Sequence, residues 1–102
     1  MNITWLPEAE VELNLAADWY EDRLPLLGSR FVNDVIGLLN HLVFAPRAHP
    51  RLPGLAGKRG APRALLEHFP YALIYTADED ELVLIALIHT SRRRSSWRKR
   101  LT

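Results

Sequence analysis

The sequence predicts an α+β domain in which a helical hairpin packs on one face of a small, mainly antiparallel sheet. Two observations support this fold class. Apolar residues recur at helical spacing before residue 45, whereas residues 63–88 form short apolar stretches separated by turn signals. Helices and strands that are segregated along a chain are typical of α+β proteins. The 102 residues have the length of one domain, which we expect to span 1–102.

The N-terminal residues predict a short edge strand followed by a first helix. Residues 3–5 alternate apolar and polar side chains, and Pro7 suits the first position of a helix. Glutamates follow in or near the first turn, where negative charge favours the helix dipole. Apolar residues at helical spacing then predict a helix over about 7–23, which Pro25 ends.

A second helix is predicted from Gly28-Ser29 to about Ala45-Pro46, with Ser29 as its N-cap. Its apolar residues cover more than half of its circumference, so we expect it to pack on both sides. The short connection predicts an antiparallel hairpin. Residues 46–62 are rich in proline, glycine and basic residues. They predict a long loop, of the kind that is usually functional or mobile.

The remainder of the chain predicts three strands joined by tight turns. A short mixed segment, 63–68, precedes the turn signal Phe69-Pro70. Residues 71–77 are followed by an acidic turn and by the unbroken apolar run 82–88, which we expect in the sheet interior. The predicted order is β-α-α-β-β-β, with the last three strands as an antiparallel meander. A short terminal helix over about 95–100 is also expected.

The composition excludes several classes of function. The chain has no cysteine, which excludes disulfides, thiol catalysis and cysteine-type zinc sites. Its four histidines lack metal-ligand spacing, so we expect neither a metal nor another cofactor. No apolar run reaches the roughly 18 residues of a membrane span, and the N-terminus lacks the pattern of a signal peptide. We therefore expect a cytoplasmic protein with no membrane partner.

The net charge of +1 conceals a strong segregation of charge. Residues 1–40 carry seven acids and two bases, whereas 46–63 carry five bases and no acid. Residues 78–81 are all acidic, and 92–100 hold six bases and no acid. Two basic segments on a near-neutral chain are consistent with a surface that faces an acidic partner. Charged loops and tails that are simply solvated are the alternative, and composition does not separate the two.

Two motifs resemble the toxins of the RelE/ParE superfamily. The first runs from Arg63 to Tyr75, with an arginine that opens a strand and Phe69-Pro70-Tyr71 at the turn, and it looks like the central hairpin of ParE-like toxins. The second is similar to their terminal pattern of His, two residues and Arg, followed by Trp-x-x-Arg. It is carried by His89, Arg92, Trp97 and Arg100. The predicted element order matches the superfamily along the whole chain.

The resemblance implies the toxin of a type II toxin–antitoxin module, a class that includes plasmid-stabilisation systems. A cognate antitoxin, expected to carry a DNA-binding N-terminal domain, would neutralise it, and operator DNA would be bound only through that antitoxin. The superfamily includes two activities: ParE proper poisons DNA gyrase, and the other branch cleaves messenger RNA on the ribosome. A third alternative is a degenerate, non-toxic member that only binds its antitoxin.

The residues of the ribonuclease branch are largely missing here. Leu65, Leu66 and Ala72 stand near the positions at which that branch places its lysines and an arginine, and Trp97 stands near its terminal tyrosine. The resemblance therefore favours gyrase as the target, without RNA cleavage. If the chain is a ribonuclease, its candidate catalytic residues are Arg63, His89 and Arg92. The candidates for binding target or antitoxin are Arg59, Arg63, Tyr75, His89, Arg92, Trp97 and Arg100.

Each candidate also has a structural alternative. Arg63 either binds a partner or pairs with an acid such as Glu67. His89 ends the most apolar strand, where a hydrogen-bonded structural histidine is common, although histidine is also the side chain best suited to acid–base work at neutral pH. Arg92 either holds a carboxylate or phosphate or has a structural role. Trp97 either packs on the sheet or stacks on a base.

Overall fold

The computed structural model describes residues 2–44, 62–91 and Arg100. Its elements are β1 (Asn2–Trp5), α1 (Pro7–Arg23), α2 (Leu27–Phe44), β2 (Arg63–Leu65), β3 (Tyr71–Ala77) and β4 (Glu81–His89). The predicted order of elements and the α+β class are therefore confirmed. The predicted long loop, apart from Pro62, and the predicted terminal helix, apart from Arg100, lie outside the described residues.

The four strands form one mixed sheet in the order β1-β4-β3-β2. β1 lies parallel to β4, with Trp5 opposite Leu84, and the other two pairings are antiparallel. β1 is an edge strand and β4 an interior strand, as the sequence predicts. The register between β3 and β4 pairs Ile74 with Ala86 and Tyr75 with Leu84, so Ile85 has no partner on β3. This irregularity is a β-bulge, which disturbs the strand ladder at one point.

The helical hairpin packs on one face of the sheet and buries the larger core. Phe31, Val35 and Leu42 of α2 are almost fully buried. Burial of each such side chain stabilises the fold by about 1.5–3 kcal/mol. Leu13, Ala17 and Tyr20 of α1 are partly buried against this core. The strands contribute Ala64, Leu73, Tyr75, Leu82, Leu84 and Leu87, and Leu66 joins them directly after β2.

Four aromatic rings fill the space between the hairpin and the turn before β3. The ring of Tyr20 lies 5.3 Å from that of Phe31 and 4.8 Å from that of Phe69, measured between centroids. Tyr71 completes the group, 4.9 Å from Phe31. Such ring pairs each add about 0.5–1.5 kcal/mol beyond their burial. Burial and the neighbouring Tyr71 hydroxyl raise the pKa of Tyr20.

The turn between the helices differs from the sequence prediction. α2 begins at Leu27, so the prediction that Ser29 is its N-cap is wrong. The carboxylate of Glu21 accepts the backbone N–H groups of Leu26 and Gly28, at 2.9 and 3.0 Å, and so performs the capping role from α1. Gly28 is needed at this point because a Cβ there would lie 2.6 Å from the carbonyl oxygen of Ala17.

The second face of the sheet is also buried. Ala72, Ile74, Ile85, Ala86 and Ile88 form a second apolar cluster, and each is at most 5% exposed. β3 and β4 are therefore buried on both faces, as the unbroken apolar run of β4 predicts. In the part of the chain that the structure describes, no helix is long and apolar enough to cross a membrane.

Candidate functional site

His89 ends β4 beside the aromatic group. It lies opposite Tyr71 in the register, and the two rings meet edge to face with centroids 5.3 Å apart. Nδ1 of His89 accepts the backbone N–H of Ser91 at 3.1 Å and lies 2.8 Å from the Ser91 hydroxyl oxygen. Because a backbone N–H only donates, Nδ1 must be the acceptor nitrogen, and the neutral ring carries its proton on Nε2. His89 therefore presents an N–H donor at Nε2, suited to a carboxylate, carbonyl or phosphate oxygen.

Arg63 lies on the opposite face of the sheet from His89. Arg63 is opposite Ile74 in the register, and Ile74 belongs to the second apolar cluster. His89 is opposite Tyr71, whose ring contacts Phe31 on the helical side. Ile74 and Tyr71 are also three positions apart on β3, or about 10 Å along a strand. The structure therefore does not bring Arg63 and His89 together at one point.

Tyr75 belongs to the core and not to a surface. It is 0% exposed and packs in the larger core on the helical side of the sheet. The motif in the sequence predicts that Tyr75 binds a partner, whereas the structure places its side chain in the core. A side chain with no exposed surface cannot contact a partner in this state. Its aromatic ring is explained by packing, where it fills more volume than any other fully buried side chain described.

Arg100 is held against α1 by an ion pair with Glu12. Its Nη1 lies 2.8 Å from Oε1 of Glu12 and its Nη2 lies 3.2 Å from Oε2, so the pair is bidentate. Nη1 also donates to the carbonyl oxygen of Ile85 at 3.0 Å. Only 17% of each side chain is exposed. We call this arrangement the Glu12–Arg100 clasp. Arg100 is thus engaged within the chain, whereas the sequence motif suggested a contact with a partner.

The clasp satisfies backbone groups of β4 beyond the end of β1. The pairing of β1 with β4 ends at Trp5 and Leu84, and the N–H of Leu6 reaches the carbonyl of Leu84. Further along, the N–H of Leu87 donates to Oε1 of Glu12 at 3.1 Å, and the Ile85 carbonyl receives Arg100. Among the described residues, these two side chains therefore satisfy backbone groups of β4 that β1 does not reach, and charged side chains are a common means of protecting such strand edges.

The remaining candidates, Arg59, Arg92 and Trp97, lie outside the described residues. Among the residues that the structure does describe, Asp34, Glu67 and His68 place ligand-type atoms within 4.8 Å of one another. The histidine spacing in the sequence gives no sign of this group, because Asp34 comes from α2. Glu67 and His68 are exposed, and Asp34 accepts the backbone N–H of His68 at 2.8 Å. That hydrogen bond explains the proximity structurally, and we assign no metal to it.

No protein-family model and no curated protein sequence matches this chain. Its structure is similar to that of a chain described as "Chromosomal ParDE TA system from P. aeruginosa". The TM-score is 0.68 at 19% sequence identity, and the match covers 87% of this chain and 95% of the other. At this identity the likeness is one of fold. The RelE/ParE-like fold that the two motifs imply is therefore confirmed.

Proposed function

We propose that this chain is the toxin of a type II toxin–antitoxin pair. The observation that carries the proposal is the match of fold over 87% of the chain to a member of a ParDE toxin–antitoxin system. The two sequence motifs support it independently, since they were identified from residues and not from the fold. Fold alone does not specify function, so the proposal depends on both together.

The partner that we propose is a cognate antitoxin with an acidic segment that folds on this chain. The basic segments 46–63 and 92–100 carry eleven of the thirteen lysines and arginines, which favours an acidic partner. Such a segment would order as it binds. Arg100 should contribute little, because its guanidinium is already paired with Glu12. Charge reversal at Arg92 therefore tests this attraction more cleanly than reversal at Arg100, and its effect should be larger at low salt than at high salt.

For the cellular target we propose DNA gyrase, without catalysis by this chain. A ribonuclease site needs groups that reach the same phosphodiester from a distance of about 3 Å. Arg63 and His89 lie on opposite faces of the sheet, three positions apart in register, which disfavours a shared site. The Nδ1 atom of His89 is also occupied by the N–H of Ser91. His89 is better explained as a hydrogen-bonded residue at a strand end.

Ribosome-dependent cleavage of messenger RNA is the second candidate. The observation in its favour is the Nε2–H donor that His89 presents, three residues before the start of the basic segment 92–100 in the sequence. A neutral histidine in that state would donate a hydrogen bond to a phosphate oxygen, and it would act as a general acid only after its ring takes up a second proton. The third alternative, a degenerate member that only binds its antitoxin, needs neither a general acid nor a phosphate-binding group. An assay of toxicity is what distinguishes it from the two toxic alternatives.

The target is tested with purified gyrase and with ribosomes programmed with messenger RNA. We expect a supercoiling defect, no cleaved RNA, and the same defect for a folded His89→Ala variant. Loss of a general acid or base typically costs about 10²–10⁴-fold in rate. Robust RNA cleavage by the parent that His89→Ala abolishes, with its fold intact by circular dichroism, would replace gyrase with the ribosome as the target.

A further inference from the structure

The outward side of α1 carries three large apolar side chains that are more than half exposed. Val11, Leu15 and Trp19 are 55%, 64% and 51% exposed. Their spacing of four residues places them along one side of the helix. Ala9 and Ala16, which are buried, mark the side that faces the core. We call Val11, Leu15 and Trp19 the α1 stripe. Large apolar side chains that adjoin one another on a surface are typical of interaction sites, whereas scattered ones are not.

Acidic residues border the α1 stripe. Glu8, Asp18 and Asp22 each lie three positions from a member of the stripe, and all three are exposed. The base nearest to the stripe in α1 is Arg23, whose guanidinium carbon lies 3.6 Å from the centroid of the Trp19 ring. This cation–π contact covers one face of the indole with a guanidinium of the same chain, so a partner would pack on the rest of the exposed Trp19 side chain.

We propose that the α1 stripe is a docking surface for a basic amphipathic helix of a protein partner. Apolar residues of that helix would pack on Leu15 and Trp19, and its lysines or arginines would lie opposite Asp18 and Asp22. Charge complementarity favours this occupant, because an acidic border around an apolar centre attracts a basic partner and repels an acidic one. A partner with acidic residues opposite Asp18 and Asp22 would be repelled, so the border also excludes wrong partners.

The same charges disfavour the other occupants of an exposed apolar stripe. Nucleic acid and anionic membranes are negatively charged, so the border repels both. Two copies of the chain that pair through antiparallel stripes would set Glu8 of one copy near Asp22 of the other. The acidic antitoxin segment of the proposed function would be repelled as well. The inference therefore does not depend on the proposed function.

The test uses two synthetic helix-forming peptides with leucines along one side and either lysines or glutamates along its borders. Binding of each labelled peptide to the purified full chain is measured by fluorescence anisotropy at low salt. We expect the lysine peptide to bind and the glutamate peptide not to bind. Leu15→Lys should weaken binding at least about tenfold. The matched control is Ile36→Lys, because Ile36 is 48% exposed on α2, and binding should stay within about twofold of the parent.

Circular dichroism establishes that each variant is folded, and both substitutions are at exposed positions that the core does not need. Asp18→Asn with Asp22→Asn should weaken binding at low salt and reduce its dependence on salt. No binding of the lysine peptide, equal binding of both peptides, or unchanged binding by Leu15→Lys would overturn the proposal. Dimerisation of the parent in sedimentation that Leu15→Lys abolishes would overturn it in favour of a second copy.

Discussion

Glu12 and Arg100 form a bidentate ion pair that joins positions 88 residues apart in the sequence. The same carboxylate accepts the N–H of Leu87, and the same guanidinium donates to the carbonyl of Ile85. Two side chains thus connect α1, the bulge of β4 and the C-terminal end of the chain. A charged group with several such hydrogen bonds and little exposure contributes more than an ordinary surface ion pair.

Removal of either member of the clasp should destabilise the fold. We expect Glu12→Gln and Arg100→Ala each to lower the free energy of unfolding by about 1.5–3 kcal/mol, because each leaves hydrogen-bonding groups without partners. The double variant should lose less than the sum, since the interaction is shared. Urea unfolding measures all three, with Arg30→Ala, at an exposed position of α2, as the control. If the double variant loses as much free energy of unfolding as the two single variants together, the ion pair contributes no interaction energy, which would contradict this prediction.

The two glycines of α2 should respond oppositely to alanine. A Cβ at Gly28 would lie 2.6 Å from the backbone oxygen of Ala17, so Gly28→Ala should separate the helices and cost roughly 1–3 kcal/mol. A Cβ at Gly37 has nothing within 4 Å, so Gly37→Ala should stabilise the helix by about 0.5–1 kcal/mol. Thermal unfolding of both variants measures this. If both variants change stability in the same direction and by the same amount, the close approach of the two helices at Gly28 is contradicted.

Leu26 adopts a left-handed backbone conformation, with φ of 72°, although it is not glycine. Leu24 is extended, with φ of −156°, and both side chains are more than half exposed. Leu26→Gly relieves the left-handed strain and Leu24→Gly relieves none, while both lose similar exposed surface. The first variant should be more stable than the second by about 1–2 kcal/mol in urea unfolding. No difference between them would mean that the turn stores no strain.

Asp78 should give the fold an acid-sensitive contribution to stability. The N–H groups of Asp80 and Glu81 donate to its Oδ1 at 2.9 and 2.8 Å and hold its pKa below 3.8. A carboxyl whose pKa is lowered by folding stabilises above its unfolded pKa, and this is lost as the pH falls through the folded value. Asp78→Asn keeps an acceptor oxygen but does not titrate there. The stability advantage of the parent should therefore be complete at neutral pH and shrink as the pH falls below the unfolded pKa of about 3.9, as measured by urea unfolding. An advantage that does not change with pH would contradict the assignment.

Most helices and strands could be predicted from the sequence because the spacing of apolar residues and the turn residues beside them define these elements. The predicted helix 7–23 and the predicted strand 71–77 agree with α1 and β3. The start of α2 could not be predicted in this way, because the groups that cap it are held by Glu21, which lies in the preceding helix. Ser29 has the right chemistry for a cap, but the helix has already begun before it.

The candidate site was less predictable because it depends on register and on distant pairing. The sequence places Arg63 and His89 at strand ends, yet only the register shows that they lie on opposite faces of the sheet. Tyr75 looks like a binding residue in the motif and is core in the fold. Val11, Leu15 and Trp19 also recur at helical spacing in the sequence. The same helix carries another apolar series on the side that faces the core, and that series alone was sufficient to predict the helix.

The most direct test of the proposed toxin function is growth of cells that express this chain from an inducible promoter. Three strains are compared: the parent chain alone, the parent with the short reading frame adjacent to its gene, and a control with an early stop codon. We expect the parent alone to stop growth, the control to grow, and co-expression of the neighbouring protein to restore growth because it binds and neutralises the chain. Normal growth with the parent chain alone, at an expression level verified by immunoblot, would contradict the account.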